Sequence, residues 1–151
     1  MWPFSKKYPS RSAIKLVEEL CFVHTEEMGK PLVARFNAKA KPLIGHPEFA
    51  NQASISVVLN TPAENGLTRD DENEQLRAIE AQIRETLEAE NESLQVGAIT
   101  TNGKKSYIYY TADPEGILAK FTQLCKRITT HRLEIKIEPD AGWGIYKRYV
   151  Q

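Results

Sequence analysis

The order of the elements that the sequence predicts indicates an α+β fold built on an antiparallel sheet. From residue 53 to residue 138, segments with a period of two and segments of helical period follow the order strand, helix, strand, strand, helix, strand. The two middle strands flank Asn102-Gly103, and Asn-Gly in such a position is the strongest short-range signal for a β-hairpin. This succession predicts a ferredoxin-like core, in which two helices cover one face of a four-stranded antiparallel sheet.

Each element of this core has its own signal. Residues 53–60 alternate apolar and polar side chains, which is typical of a half-buried strand. The first helix has an apolar stripe and an acidic opposite face, with Thr68 and Asp70 among the candidates for its cap. Asp113 and Pro114 open the second helix, because Pro is favoured at the first helical position. The apolar residues that define the two helices and the last strand are Leu76, Ile79, Ile83, Leu87, Ile117, Leu118, Phe121, Leu124, Cys125, Ile128, Leu133, Ile135 and Ile137.

The N-terminal part of the chain adds a second hairpin to this core. Residues 1–12 mix aromatic and basic side chains without a period, and we expect a flexible N-terminus there. Residues 13–151 are predicted to form a single domain. Within it, residues 18–37 contain two extended runs around Met28-Gly29-Lys30 and predict a β-hairpin. This hairpin either extends an edge of the sheet or forms a separate ribbon.

The chain ends in an aromatic segment, residues 139–151. Trp143, Tyr146 and Tyr149 are spaced three apart, so on a helical turn their rings lie on one side. Such rings either seal the sheet as a lid or anchor a protein partner, because Trp and Tyr are common anchors of interfaces. We take partner binding by these three rings, with Tyr107 or Tyr109 adjoining, as the main functional expectation.

The net charge is zero, but the charges are distributed unevenly. Residues 51–100 contain more than three acidic side chains for each basic one, whereas both flanking segments are mildly basic. A nucleic-acid-binding domain usually carries a basic excess over the whole domain. The sequence therefore argues against nucleic acid as a partner. It leaves stacking of single-stranded RNA on Tyr107 and Tyr109 as the second functional alternative.

No cluster of chemistry-bearing residues stands out in the sequence. His24, His46 and His131 are scattered, whereas a metal site needs several ligands that converge. No nucleophile signature and no Gly-rich phosphate loop occurs. We therefore predict no catalytic residue, no metal and no cofactor. The first alternative is a small-ligand-binding protein or enzyme with a site between the sheet and the N-terminal hairpin, where His24 and Arg35 point inward.

The cysteines and the apolar runs bear on the location of the protein. Cys21 and Cys125 lie in apolar patterned segments, where a free thiol behaves as a small hydrophobe. No secretory signal is visible, and the apolar runs are shorter than the roughly 18 residues of a membrane span. The sequence therefore predicts a cytoplasmic protein with a protein partner and without a membrane partner. A homodimer is an open alternative.

Two groups of residues resemble known families. The run from Val96 to Thr111, together with Pro139-Asp140 and Trp143-Gly144-Ile145-Tyr146, resembles the uncharacterised bacterial family called domain of unknown function 695. Met28-Gly29-Lys30-Pro31 fits the same pattern, and this resemblance implies no activity. The ending from Asp140 to Tyr146 is also similar to the end of the B-type regulators of ribonuclease E. That second resemblance implies a ferredoxin-like, non-catalytic binding protein.

Overall fold

The computed structural model describes residues 8–150, and six strands in that range form one antiparallel sheet. The strands are β1 (Leu20–Glu27), β2 (Lys30–Asn37), β3 (Asn51–Val58), β4 (Ser93–Thr101), β5 (Lys104–Thr111) and β6 (Leu133–Pro139). The helices are α1 (Asp70–Leu87), α2 (Pro114–Arg127) and α3 (Gly144–Tyr149), and short 3₁₀ helices span Arg11–Ala13, Ala38–Leu43 and Ala89–Asn91. Across the sheet the strands follow the order β1-β2-β4-β5-β3-β6.

Two tight turns fix the register of the two hairpins. Asn102 and Gly103 between β4 and β5 have φ of 49° and 81°, and Met28 and Gly29 between β1 and β2 have φ of 53° and 78°. Positive φ at both central residues is the signature of the type I′ turn, whose twist matches that of the flanking strands. The N-terminal hairpin extends the sheet edge, because β2 pairs with β4.

Helices α1 and α2 lie on the same side of the sheet. Their apolar stripes pack with β3 and β5 in a core centred on Ile55, Ile83, Tyr107, Tyr109 and Leu124, all fully or almost fully buried. The predicted stripe of α2 differs from the observed one at Leu118, which is 48 % exposed, and at Cys125, which is exposed as well. The combination of a six-stranded antiparallel sheet with packed helices confirms the predicted α+β fold, while the finer ferredoxin-like assignment stays a prediction.

A second core lies on the opposite side of the sheet and is closed by the end of the chain. The Trp143 ring stacks on Tyr110 with ring centres 4.0 Å apart, and its Nε1 donates to the carbonyl of Phe49 at 2.9 Å. The Tyr146 hydroxyl donates to the carbonyl of Asn37 at 2.6 Å. Asp140 accepts hydrogen bonds from the backbone N–H of Gly144 and from the Tyr110 hydroxyl at 2.7 Å each, so one carboxylate joins α3 to the sheet.

An irregularity in β4 changes which side chains face each core. The register with β5 shifts between Gln95 and Gly97, as in a β-bulge. Val96 consequently packs into the core beneath α3, whereas Ala98 packs on the side of α1. A side chain at position 97 would lie 2.6 Å from the backbone oxygen of Arg35, so this close approach of β4 to β2 requires glycine.

The predicted flexible N-terminus, residues 1–12, lies mostly outside the described residues. In its described part, Arg11–Ala13 form a short 3₁₀ helix, and the carbonyl of Arg11 accepts a hydrogen bond from Asn91 at 3.1 Å. None of the helices within residues 8–150 combines the length and the apolar character that a membrane crossing requires.

Candidate functional site on the open face beside helix α1

One part of the sheet has no helix over it. Residues that are paired across antiparallel strands project on the same face. Two such rows run from the N-terminal hairpin towards α1: Phe22, Arg35, Ala98 and Tyr107 in the first row and His24, Val33, Thr100 and Lys105 in the second. Helix α1 contacts β4, and Ala98 and Tyr107 at the inner end of the first row are buried in the core. We call the other residues of the two rows the open face. Strands β1 and β2 extend beyond it.

A cavity of about 280 Å³ lies between the hairpin and the segment that leads into α1, where Leu67 and Thr68 line it. Phe22, Val33 and Leu67 give it apolar walls, while Arg35 and Lys105 bring positive charge. A smaller cavity of about 160 Å³ lies on the other side of Arg35. Its lining is more strongly charged and includes Glu18, Leu20, Arg84, Glu88 and Gln95.

A charged network separates the two cavities and joins the hairpin to α1. Arg35 of β2 contacts the carboxylate of Glu80 at 2.6 Å, and both side chains are mostly buried. The same carboxylate accepts a hydrogen bond from Arg84, one turn further along α1, at 3.1 Å. Arg84 also donates to Gln95 of β4. Glu80 is therefore shared by two guanidinium groups, which fix the distance between helix and hairpin.

Lys105 is a half-buried ammonium without its own carboxylate. It makes no ion pair with the described part of the chain, and its Nζ lies 5.7 Å from the centre of the Tyr107 ring. Burial lowers the pKa of Lys105, and the positive charge of Arg35 lowers it further, while the Glu80 carboxylate opposes this in part. An anion bound next to this ammonium would be favourable, because it would compensate the burial of the charge.

The hydroxyl of Tyr107 is buried and makes no hydrogen bond within residues 8–150. A buried hydroxyl without a partner is rare, because it has lost its hydrogen bonds to water. Burial and the nearby Glu80 carboxylate raise the pKa of Tyr107 far above its ordinary value. The group therefore keeps its proton and remains a hydrogen-bond donor.

The rings that we expected to bind a partner lie mostly inside the molecule. Trp143, Tyr146, Tyr107 and Tyr109 are fully buried, and Tyr149 is half-buried against Phe36, with ring centres 5.0 Å apart. The aromatic segment is packed as a lid over the second core. The rings of Tyr107 and Tyr109, on which we expected RNA bases to stack, are likewise not exposed.

The two residues expected for a small-ligand site lie on the open face. Arg35 lines both cavities, and His24 is exposed in the row next to it. Sequence reasoning did not single out Phe22 or Lys105 for this site. The alternation in β1, which places Phe22 and His24 on the same face, was the signal that could have found Phe22.

A buried pair of ionisable groups was also missed. His131 contacts Glu72 at 2.7 Å, and the Glu72 carboxylate also accepts hydrogen bonds from the backbone N–H of Asn60 and Thr61. Burial alone would raise the pKa of Glu72, but these hydrogen bonds outweigh it and lower the pKa. Every oxygen of the carboxylate is used within the fold, so the pair anchors the start of α1. Within residues 8–150 no three His, Cys, Asp or Glu residues converge as metal ligands.

Comparison with known proteins identifies the family. The family of unknown function DUF695 matches residues 22–150, a range that contains nearly all of both hairpins, the open face and the aromatic lid. No curated protein and no solved structure matches the chain significantly. The chain therefore belongs to the family of unknown function DUF695.

Proposed function

We propose that the chain is a cytoplasmic, non-catalytic interaction domain that binds an extended segment of a partner protein along strand β1. The observation that carries the proposal is the distribution of exposed apolar side chains. Within residues 8–150, Val17, Leu20, Phe22, Met28 and Leu118 are the large apolar side chains that are exposed, and all but Leu118 belong to β1 and its two ends. Clustered apolar surface of this kind marks interaction sites. Both cysteines are free thiols, which supports a reducing compartment.

The backbone of β1 supplies hydrogen-bonding groups for a partner. Among the described strands β1 pairs with β2 alone, so one of its edges has no neighbour. An extended peptide can add a strand to such an edge, in which case the main chain gives affinity and alternate side chains give specificity. Phe22 is 63 % exposed on one face of β1, and it would pack against the side chains that the added strand projects on that face.

The charges that flank β1 define the chemistry of the partner. Glu18 and Glu19 precede the strand and Glu26 and Glu27 end it, and all four side chains are exposed. Residues 18–27 contain no Lys or Arg. Glu18 and Glu19 form ion pairs with Arg84 and Lys39 at 3.6 and 3.3 Å, which leaves the end at Glu26 and Glu27 as the more acidic one. The matching segment has an apolar centre and basic flanks.

The same charges disfavour a second copy of this chain as the partner. If two β1 strands paired antiparallel about Phe22 and Val23, Glu18 and Glu19 of one copy would face Glu27 and Glu26 of the other. Like charges directly opposite each other destabilise a strand pair. Strand β6, at the other edge of the sheet, is protected against pairing with another strand by its charges. It exposes Lys136 and Glu138 and no large apolar side chain.

Selection from a random displayed peptide library, with the full chain as target, tests this proposal. We expect selected peptides to have an apolar centre flanked by Lys or Arg, and their binding to protect β1 amides from hydrogen exchange. Phe22→Ser should weaken the selected peptides by roughly tenfold or more, since buried aromatic anchors dominate interfaces. The matched control is Leu118→Ser on α2, which removes a comparably exposed apolar side chain and should leave affinity unchanged.

Two outcomes would overturn the proposal. One is a set of selected peptides without basic flanks, and the other is equal loss of affinity in Phe22→Ser and Leu118→Ser. A concentration-dependent dimer in light scattering that Phe22→Ser abolishes would instead make a second copy the partner. Thermal unfolding of both variants shows that the comparison is made on folded protein.

A further inference from the structure

The larger cavity, between the hairpin and the segment before α1, contains more positive than negative charge. Arg35 and Lys105 line it, and Arg77 is near enough to contribute to the lowered pKa of Lys105. The carboxylate that faces them is Glu80, which pairs with Arg35 at 2.6 Å and with Arg84 at 3.1 Å and also attracts Lys105. Lys105 itself makes no ion pair among the described residues.

A second cationic donor lines the same cavity. Arg35 shares it with Lys105, whereas Tyr107 lies beneath Lys105 and is fully buried outside the cavity lining. An ammonium and a guanidinium at one place are donors that suit a carboxylate.

The rest of the lining is mainly apolar. Phe22, Val33 and Leu67 line the cavity together with Thr68 and Thr100, and 63 % of Phe22 is exposed. A volume of about 280 Å³ is close to the lower limit of known ligand pockets, roughly 300 Å³. The space therefore suits a small molecule with one charged end and one apolar end.

We propose that this cavity binds a small organic monocarboxylate. The carboxylate accepts a hydrogen bond from Lys105, and a short aliphatic group lies against Phe22, Val33 and Leu67. This site is separate from the strand edge proposed for a protein partner, although Phe22 borders both. The ligand supplies the ion-pair partner that Lys105 lacks among the described residues.

Titration of the full chain with hexanoate, followed by ¹H–¹⁵N NMR, tests the site directly. We expect saturable shifts at millimolar ligand, concentrated at the amides of Val33 to Arg35 and of Ala98 to Tyr107. Hexylamine, which has the same aliphatic chain and the opposite charge, should cause no saturable shifts there. Equal binding of both compounds, or no saturable shift with hexanoate, would overturn the proposal.

One variant locates the carboxylate. Lys105→Met keeps the aliphatic stem and should weaken hexanoate by roughly tenfold, because a charge-assisted hydrogen bond is lost. Lys136→Met on β6 is the control with the same change of net charge. Unchanged affinity in Lys105→Met, or the same loss in Lys136→Met, would contradict the assignment.

Discussion

The two faces of strand β2 differ in what covers them. On one face Leu32, Ala34 and Phe36 are at most 1 % exposed, because the C-terminal lid with Trp143 packs over this side of the sheet. On the other face Val33 and Arg35 remain partly accessible, and the neighbouring Phe22 of β1 is largely exposed. The same strand thus contributes alternate side chains to a closed core and to an open face.

The difference separates residues that stabilise the fold from residues that are free to bind. Side chains on the closed face contribute dispersion contacts and burial, so their removal destabilises the domain. Side chains on the open face contact water or a charged neighbour instead of closely packed apolar atoms, so their removal lowers the stability less. This distinction between the two faces is wrong if a mutation on the open face destabilises the domain as much as one on the closed face.

The largest effect is expected at Trp143. Trp143→Ala removes a fully buried ring that stacks on Tyr110 and donates to Phe49, and should lower the free energy of unfolding by about 4 kcal/mol. Tyr149→Ala, at a half-buried ring, should cost markedly less. Urea unfolding measures both. If Trp143→Ala leaves stability unchanged and weakens partner binding instead, the lid is an interaction surface.

The next effect is expected at Glu72, which fixes the start of α1. Glu72→Gln should cost about 3 kcal/mol at neutral pH, because the charge is lost and one of the two oxygens that accept from His131, Asn60 and Thr61 becomes an NH₂ donor. The pKa of Glu72 is lowered by folding, so its stabilisation is complete above its ordinary value of 4.5. It is lost as the pH falls through the lowered pKa.

Unfolding curves over a pH series check this sign. The stability difference between the natural protein and Glu72→Gln should narrow below about pH 4.5. The exposed Glu85 on the same helix provides the control, since Glu85→Gln should follow the natural protein at every pH. A constant difference across the series would show that the Glu72 carboxylate is not the titrating group.

A smaller effect is expected at the link between the open face and α1. Arg35→Met should lower stability by about 1 kcal/mol, because the pair with Glu80 is only partly buried and Arg84 still neutralises Glu80. A double-mutant cycle with Glu80→Gln isolates the pair itself. A coupling energy near zero would mean that the hairpin is held by its strand pairing alone.

The smallest effect on stability is expected at Phe22. Phe22→Ser replaces a side chain that is 63 % exposed, and the free energy of unfolding should change by no more than about 0.5 kcal/mol. Differential scanning calorimetry of the variant measures this. A loss comparable to that of Trp143→Ala would place Phe22 in the core and remove the distinction between the two faces.

Local signals predicted much of this fold. Tight turns with positive φ form at Asn102-Gly103 and at Met28-Gly29, between the predicted strands. Asp113 caps α2, because its carboxylate accepts a 2.9 Å hydrogen bond from the backbone N–H of Gly116. These features depend on a few neighbouring residues, so the sequence shows them directly. For the candidate site, the sequence placed Arg35 and His24 between sheet and hairpin but did not single out Lys105 or Phe22.

The sequence by itself determined the α+β class, the two hairpins and the two amphipathic helices, because each follows from periodicity and turn chemistry within a short stretch. Only the tertiary structure decided that Trp143 is core and Phe22 is surface, since both are large apolar residues in patterned segments. The bulge at Gly97, the shared carboxylate of Glu80 and the placement of Lys105 beside Arg35 in one cavity were decided there too. They depend on contacts between residues far apart in the chain, and burial is set by what packs over a side chain.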